Sequence, residues 1–475
     1  MKLLSPTTLA FVALAAVACV SAAPALAQQS GTQPEEKPLR LQTALDLPDW
    51  LKVSGSIRPR YESLANQFTA GRTGGDDYFA VQSLLKIEAS VPRNFIPDLI
   101  IGGELEDVRL ISGDEGGSSP AEIDTLEPLQ MYLSWRPKNL LIKGDTLDIT
   151  AGRFTMDVGG RRVLARSNMR NPLQAFDGVR ALWTHSSGVK ALAFYTSPVN
   201  RLPTDVPSVL GNDVEFNEAA DAAFFGWNVE MPGIFGTFAE IYLYDLQEND
   251  ATNQPTRNRD LSTAGVRLRK PQKKSDFDFE FEYAAQSGTN RNSTAAADTT
   301  DLMHDASMLH AELGYTLDLP WTPRVSAYYD LISGDDRPND GSDERFDPLF
   351  GDRAFELGPT SIWGLIARTN LDSPGVRIDL KPDSRNELMA SVRNVRLDSA
   401  RDSFGNAGVR DATGASGKEV GTHWEVRWRH QLVPNNIRLA IGFAGLSQGD
   451  FMENAPNATG QGDPWYGFSE VTFTF

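Results

Sequence analysis

Apolar and polar residues alternate singly along much of this chain, most plainly at Asp276–Tyr283, DFDFEFEY, where four acids interleave with four aromatics. Successive side chains of a strand point to opposite faces, so the rings share one side and the carboxylates the other. The same period recurs elsewhere. Lys52, Ser54, Ser56, Arg58, Arg60 and Glu62 oppose Val53, Gly55, Ile57, Pro59 and Tyr61. Arg267 and Arg269 oppose Val266 and Leu268, and His423, Glu425, Arg427 and Arg429 oppose Trp424, Val426 and Trp428. Arg377 and Lys381 oppose Val376, Ile378 and Leu380, with Asp379 between them. A single strand of this kind fits a soluble sandwich. Repetition favours another reading, because alternating segments of about ten residues separated by turn residues mark a transmembrane β-barrel, its apolar face on lipid and its polar face on a watery lumen. From Trp50 to Phe475 there are roughly eighteen such segments, which suits a barrel wide enough for an aqueous channel. The predicted fold class is therefore all-β, a transmembrane antiparallel β-barrel over 50–475 with an aqueous lumen and long extracellular loops.

The connections agree with this. Short turns such as Val433–Asn436 alternate with long polar segments such as Gly334–Asp352, and in a barrel the short turns are periplasmic and the long loops external. Asp335, Asp336, Asp340, Asp343, Glu344, Asp347 and Asp352 crowd that one segment, and solvated loop charge is the expectation for them. The alternative is calcium bridging these acids to lipopolysaccharide phosphates, although their spacing matches no EF-hand. Val471, Phe473 and Phe475 share a face, and the terminal aromatic resembles the outer-membrane assembly signal of Gram-negative proteins.

Composition narrows the setting. Lys2, the apolar run Leu9–Val20 and the small-residue site Ala25-Leu26-Ala27 predict a secretory signal over 1–27. Lipoprotein processing at Cys19 is a weaker fit, since Ala16 stands where a larger aliphatic is usual. Cys19 is the only cysteine, so the processed chain would carry no thiol, disulfide or cysteine metal site. Residues 28–49 form a polar stretch expected to be a periplasmic tail. The formal charge of −18 and the pI near 4.8 argue against a nucleic-acid partner. No apolar run after the signal approaches the roughly 18 to 20 residues of a membrane helix.

The candidate chemistry concentrates in Gly152–Arg180, GRFTMDVGGRRVLARSNMRNPLQAFDGVR, which holds six arginines (Arg153, Arg161, Arg162, Arg166, Arg170 and Arg180) and no lysine. A guanidinium fork can hold a carboxylate through two parallel hydrogen bonds, where lysine offers a point charge. Gly159-Gly160 breaks the alternation, so the middle of this segment reads as a loop joining two strands and folded into the pore. The competing reading is a solvated basic loop touching lipid phosphates.

This stretch, with its continuation to Trp183, resembles the central signature of the alginate-export family of outer-membrane porins. Ile332–Asp352 resembles the family's Ser-Gly-Asp loop closing on Phe-Asp-Pro-Leu-Phe, and Trp424–Phe451 its penultimate hairpin. The resemblance implies an eighteen-stranded monomeric barrel whose arginine-rich lumen passes a uronic-acid polymer, with loops gating both ends. It places Arg153, Arg161, Arg162, Arg166, Arg170, Asp177 and Arg180 in the segment that supplies the basic constriction. Strand alternation independently adds Arg58, Arg60, Arg267, Arg269, Arg427 and Arg429 to the lumen.

Each sugar of a polyuronate carries one carboxylate, so passage calls for several modest sites along the axis; one tight site would plug it. Glu62, Asp276, Asp278, Glu280, Glu282 and Glu425 share the polar faces and are expected to pair with these arginines and lower the positive field. The alternative cargo is small anionic solutes or oligosaccharides taken up by a general or substrate-specific porin. Expected partners are outer-membrane lipid and lipopolysaccharide, with a periplasmic export partner for the polymer reading; no cofactor is expected. The five histidines (His185, His304, His310, His423 and His430) show no catalytic or metal-ligand spacing, and the chain is not expected to be an enzyme. Neutralising Arg161 and Arg162 together is expected to reduce anion preference and leave assembly intact.

Overall fold

The computed structural model describes residues 38–475 except 93, 114–121, 250–254, 339 and 355. The signal at 1–27 and the tail up to residue 37 lie outside the described residues. Eighteen long strands form the wall: β1 (Leu51–Ala65), β2 (Asp76–Ser90), β3 (Leu99–Gly113), β4 (Asp124–Trp135), β5 (Asp145–Phe154), β6 (Phe176–His185), β7 (Lys190–Asn200), β8 (Ala222–Pro232), β9 (Phe238–Glu248), β10 (Asp260–Lys270), β11 (Phe277–Asn290), β12 (Leu302–Thr316), β13 (Arg324–Ile332), β14 (Leu371–Leu380), β15 (Asn386–Arg396), β16 (Glu419–Val433), β17 (Ile437–Gln448) and β18 (Trp465–Thr474). Each pairs antiparallel with its neighbours in sequence, and β18 returns to β1 with Tyr61 opposite Ser469. Closure is what lipid demands, because an open edge would leave peptide groups unsatisfied at several kcal/mol each. Two short ladders lie apart from the wall strands, Glu218–Ala219 on β7 and Ser342–Asp343 on β12.

The alternation seen in sequence decides which side each residue takes. On β11, Phe277 is 57% exposed and Tyr283 43%, whereas Asp278 is 4% and Glu282 2%. The aromatic face of DFDFEFEY therefore looks outward and its acids look inward. Asp276 falls just before the strand and holds Lys270 at 2.8 Å.

Connections alternate between short and long around the barrel. The turns at 186–189, 233–237 and 434–436 share an end with the start of β1; those at 155–175, 201–221, 333–370 and 397–418 lie at the other. The segment preceding β1 is tied to the short-turn end: Leu39 N–H donates to Asn436 Oδ1 at 2.7 Å, and Asn436 Nδ2 donates to Leu39 O at 2.8 Å.

The interior departs from the expected watery bore. Towards the long-loop end, inward loops and inward strand residues bury a common apolar cluster that includes Phe68, Phe154, Leu164, Phe176, Phe224 and Trp363. The reading of Gly334–Asp352 as solvated charge fits Asp336 and Asp340, which are exposed, and is corrected for Asp343, Asp347 and Asp352. Asp343 and Asp352 are buried, Arg257 holds Asp343 and Arg259 holds Asp347, both at 2.8 Å. The loop turns inward because burying Phe346 and Leu357 rewards it, at about 1.5–3 kcal/mol for each fully buried large apolar side chain, and the arginines neutralise the acids carried in with them.

Candidate functional site

Two loops meet inside the barrel. The β5–β6 loop (155–175) enters at Gly159, whose φ of +56° suits glycine, and where a Cβ would lie 3.0 Å from the Glu240 carboxyl carbon. It then runs beside the β13–β14 loop (333–370). Phe350 N–H donates to Val163 O at 3.0 Å, Ala165 N–H to Phe350 O at 3.0 Å and Asp352 N–H to Arg161 O at 2.8 Å. The Phe350 ring stands edge-on to Phe176 at 5.3 Å and packs on Phe224 at 4.9 Å. A backbone bridge and an aromatic cluster thus join two loops that the sequence separates widely.

Arg162 is the charged counterpart of that bridge. Only 2% exposed, it donates to Glu280 at 2.6 Å, to Glu282, and with two nitrogens to Glu356 of the opposite loop. Burial disfavours its charge, but Glu356, Glu282 and Glu280 outweigh this and hold the guanidinium firmly protonated. Glu356 also meets Arg368 at 3.0 Å and His310 Nε2 at 3.8 Å. His310 Nδ1 lies 2.7 Å from Asp330, which is 3.2 Å from Arg393. The ligand atoms of His310, Asp330 and Glu356 lie within 4.8 Å of one another. Arg162, Arg368 and Arg393 already supply the positive charge that a metal would bring, so this is a charge network joining loops to wall.

Other sequence-predicted arginines face inward in different company. Arg58 donates to the carbonyls of Asn168 at 2.9 Å and Arg170 at 2.7 Å; Arg60 donates to Met169 O at 2.7 Å and to Glu470. These two clamp the inner loop to β1 and β18. Arg153 grips Asp177 with two bonds of 2.8 and 2.9 Å and also reaches Glu127. Arg161 turns the chain at φ +60°. Arg166 pairs with Glu104 at 2.8 Å, Arg267 with Glu240 and Glu280 at 2.9 Å each, and Arg269 with Glu230 at 2.7 Å. Arg180 packs over Phe154 at 5.1 Å. Arg427 and Arg429 are held loosely, by Glu425 at 3.7 Å and Glu387 at 3.9 Å. Arg170 forms no ion pair among the described residues.

Cavities open inside the barrel. On the short-turn side, one of about 360 Å³ is lined by Arg180, Lys190, Arg267 and Arg269 with Glu230 and Glu240, and one of about 270 Å³ by Arg377, Lys381, Arg427 and Arg429 with Glu312, Asp379 and Glu387. On the long-loop side, cavities of about 300 and 260 Å³ share Arg170, Arg353 and Asn406.

A family model described as alginate export matches residues 49–463. The chain belongs to the alginate export family. No curated protein matches its sequence. Among solved structures it is similar to OpdO of Pseudomonas aeruginosa (13% identity, 91% of this chain, 99% of that one, TM-score 0.56). OccK9 (OpdG) of the same organism is similar at 12% identity, covering 90% of this chain and 98% of that one, with a TM-score of 0.57. OpdK is similar at 12%, with the same coverage and a TM-score of 0.56. At this identity the likeness concerns the fold. Family and fold are those of outer-membrane channels, so the barrel sits in a Gram-negative outer membrane with its outward faces on lipid.

In this member of the alginate export family, sequence reading missed the partners more than the arginines. Glu104 and Glu106 alternate with Leu105 as plainly as Glu280 and Glu282 do with Phe281, and the same rule would have placed them inside. Glu356, Arg353 and Arg368 lie on a loop without periodicity, and no local signal marks them. In the acid-rich loop, Asp340 accepts from Ser342 N–H at 3.0 Å and Asp352 from Ala354 N–H at 3.0 Å.

Proposed function

We propose that this barrel is a selective channel for small carboxylated solutes, uronates and short oligouronates among them, which step along basic cavities inside the lumen. The observation that supports the reading is a set of cavities of about 260–360 Å³ inside the barrel, each with at least three arginines in its lining beside acids. That is the lower end of the roughly 300 to 1,000 Å³ range of small-ligand sites. Several modest sites in series let a solute enter and leave, whereas the tightly paired Arg153, Arg162 and Arg267 set the shape of the path and leave little free charge. Membership in the alginate export family favours a second reading, passage of a polyuronate. That would require Arg162 and Glu356 to part and the Leu164–Phe350 bridge to open. In either reading the chain acts as a monomer, with lipopolysaccharide around its outer half; export would add a periplasmic partner.

Reversal potentials in a planar bilayer under a salt gradient test this, with glucuronate, polyuronate and a neutral hexose as blockers. Anion preference with block by glucuronate supports the small-solute channel. Block by polyuronate alone favours the polymer conduit, and cation preference overturns both.

A further inference from the structure

Arg170 and Arg353 differ from the other inner arginines in what they hold. Neither forms an ion pair with a carboxylate among the described residues. The Arg353 fork instead meets a neutral acceptor: with the Asn406 amide turned so that its oxygen faces the guanidinium, that oxygen accepts from Nη2 at 2.9 Å and from Nη1. Arg353 Nε is buried without a partner. Burial first, and Arg170 next, pull Arg353 down to about 9. A desolvated cation answered only by an amide is under-compensated, because a charged acceptor bonds about twice as strongly as a neutral one.

The surroundings say what could complete it. The two arginines and Asn406 line both long-loop cavities, so they stand where these adjoin. The larger cavity adds Gln67, Thr69, Arg72, Asp76 and Glu122. This mixed lining suits a ligand that carries polar hydroxyls as well as a single negative charge better than a bare dianion. A ligand matched to the site presents one carboxylate at one end and hydroxyl donors at the other.

We propose that Arg170 and Arg353 form an outer capture site for a monomeric sugar acid, whose carboxylate displaces the Asn406 amide oxygen from the Arg353 fork. The inference rests on the channel reading above and deepens it, by naming where the solute is first held and how it is recognised.

Calorimetric titration of the full-length protein in detergent micelles with glucuronate, glucose and inorganic phosphate tests it. Glucuronate should bind at least tenfold more tightly than either of the others, on the scale of a lost charge-assisted contact. Arg170→Gln and Arg353→Gln should each weaken it about tenfold. Asn406→Ala should tighten it several-fold by removing the competitor, a change of sign that a folding defect would not produce. Unchanged binding in both arginine variants, weaker binding in Asn406→Ala, or phosphate binding equal to glucuronate would overturn the site. Wild-type glucuronate binding without anion-selective conductance would instead sink the channel reading and leave the site standing; the reverse pair of results would do the opposite.

Discussion

Arg162 gives one guanidinium to three carboxylates, two on the wall and one on the facing loop. Removing it leaves Glu280, Glu282 and Glu356 close together in a poorly hydrated interior. Breaking a buried pair by deleting one partner costs about 3–5 kcal/mol. The sequence-level expectation that Arg161 and Arg162 can be neutralised together without structural consequence is therefore revised, because a loop side chain at 2% exposure behaves as a core residue. Arg162→Gln should lower the temperature at which the barrel loses its compact form on semi-native gels and should raise single-channel conductance as the loops separate. Arg429 gives the contrasting case. Its ion pair with Glu387 is long, at 3.9 Å, and the side chain is 37% exposed. Such a pair contributes about 0–1 kcal/mol, so Arg429→Gln should leave that transition within a few degrees of wild type. The same variant should shift the reversal potential away from anions, since Arg429 lines a short-turn-side cavity and its charge is only loosely answered. An unmoved reversal potential would mean that selectivity is set elsewhere.

At the scale of elements, the β13–β14 loop is anchored by carboxylates whose protonation can be reasoned through. Burial pushes Asp347 up, but its ion pair and hydrogen bond with Arg259 win, and the group sits below the usual carboxylate range. Glu356 is likewise lowered, with Arg162, His310 and Arg368 outweighing burial. A carboxyl whose folded pKa is depressed stabilises the fold above its unfolded value, near 4, and loses that contribution as pH falls through the folded value. The contribution of these two carboxylates to loop anchoring should therefore be constant from neutral pH to about 5 and weaken progressively below about 4. Conductance recorded between pH 7 and pH 3 should show new large open events only in the acidic part; openings that increase from pH 7 downward would assign the gate to another group. The contrast between strands and loops also explains what was legible beforehand. DFDFEFEY and HWEVRW announce their faces because a strand side chain has only two directions. Phe350, Glu356 and Arg353 have no period, and their destination depends on a loop some two hundred positions away, which one sequence does not encode locally. Hence the arginines were found, while the carboxylates and amide that decide whether each is free were not.

For the molecule as a whole, the β1–β18 seam is the contact that turns a sheet into a barrel, and its ladder is interrupted. Ser56 and Ile57 pair with Thr474 and Phe473, pairing resumes at Arg60 with Glu470, and the gap contains Pro59, which has no N–H to give. Phe475 extends the seam by exchanging 3.0 Å backbone bonds with Gly55. At Gly55 a Cβ would lie 2.7 Å from the Phe475 ring, so glycine permits the close approach. Where the ladder resumes lies a buried ion pair, Arg60 Nη2 to Glu470 Oε2 at 2.6 Å, with the two side chains 0% and 6% exposed. Tyr466 Oη, donating to Glu62 at 2.7 Å, adds a second side-chain bond over the same seam. These contacts do for closure what the missing ladder bonds cannot, and they are long-range in sequence, so they form late and cannot be replaced by local structure. Glu470→Gln should therefore destabilise the closed barrel by about 3–5 kcal/mol, read as a lower transition temperature on semi-native gels. Adding Arg60→Gln should cost less than the sum of the single changes, because both substitutions break the same ion pair. Additive effects would mean that Arg60 acts mainly by holding Met169 of the inner loop, and that the seam closes on its backbone bonds alone.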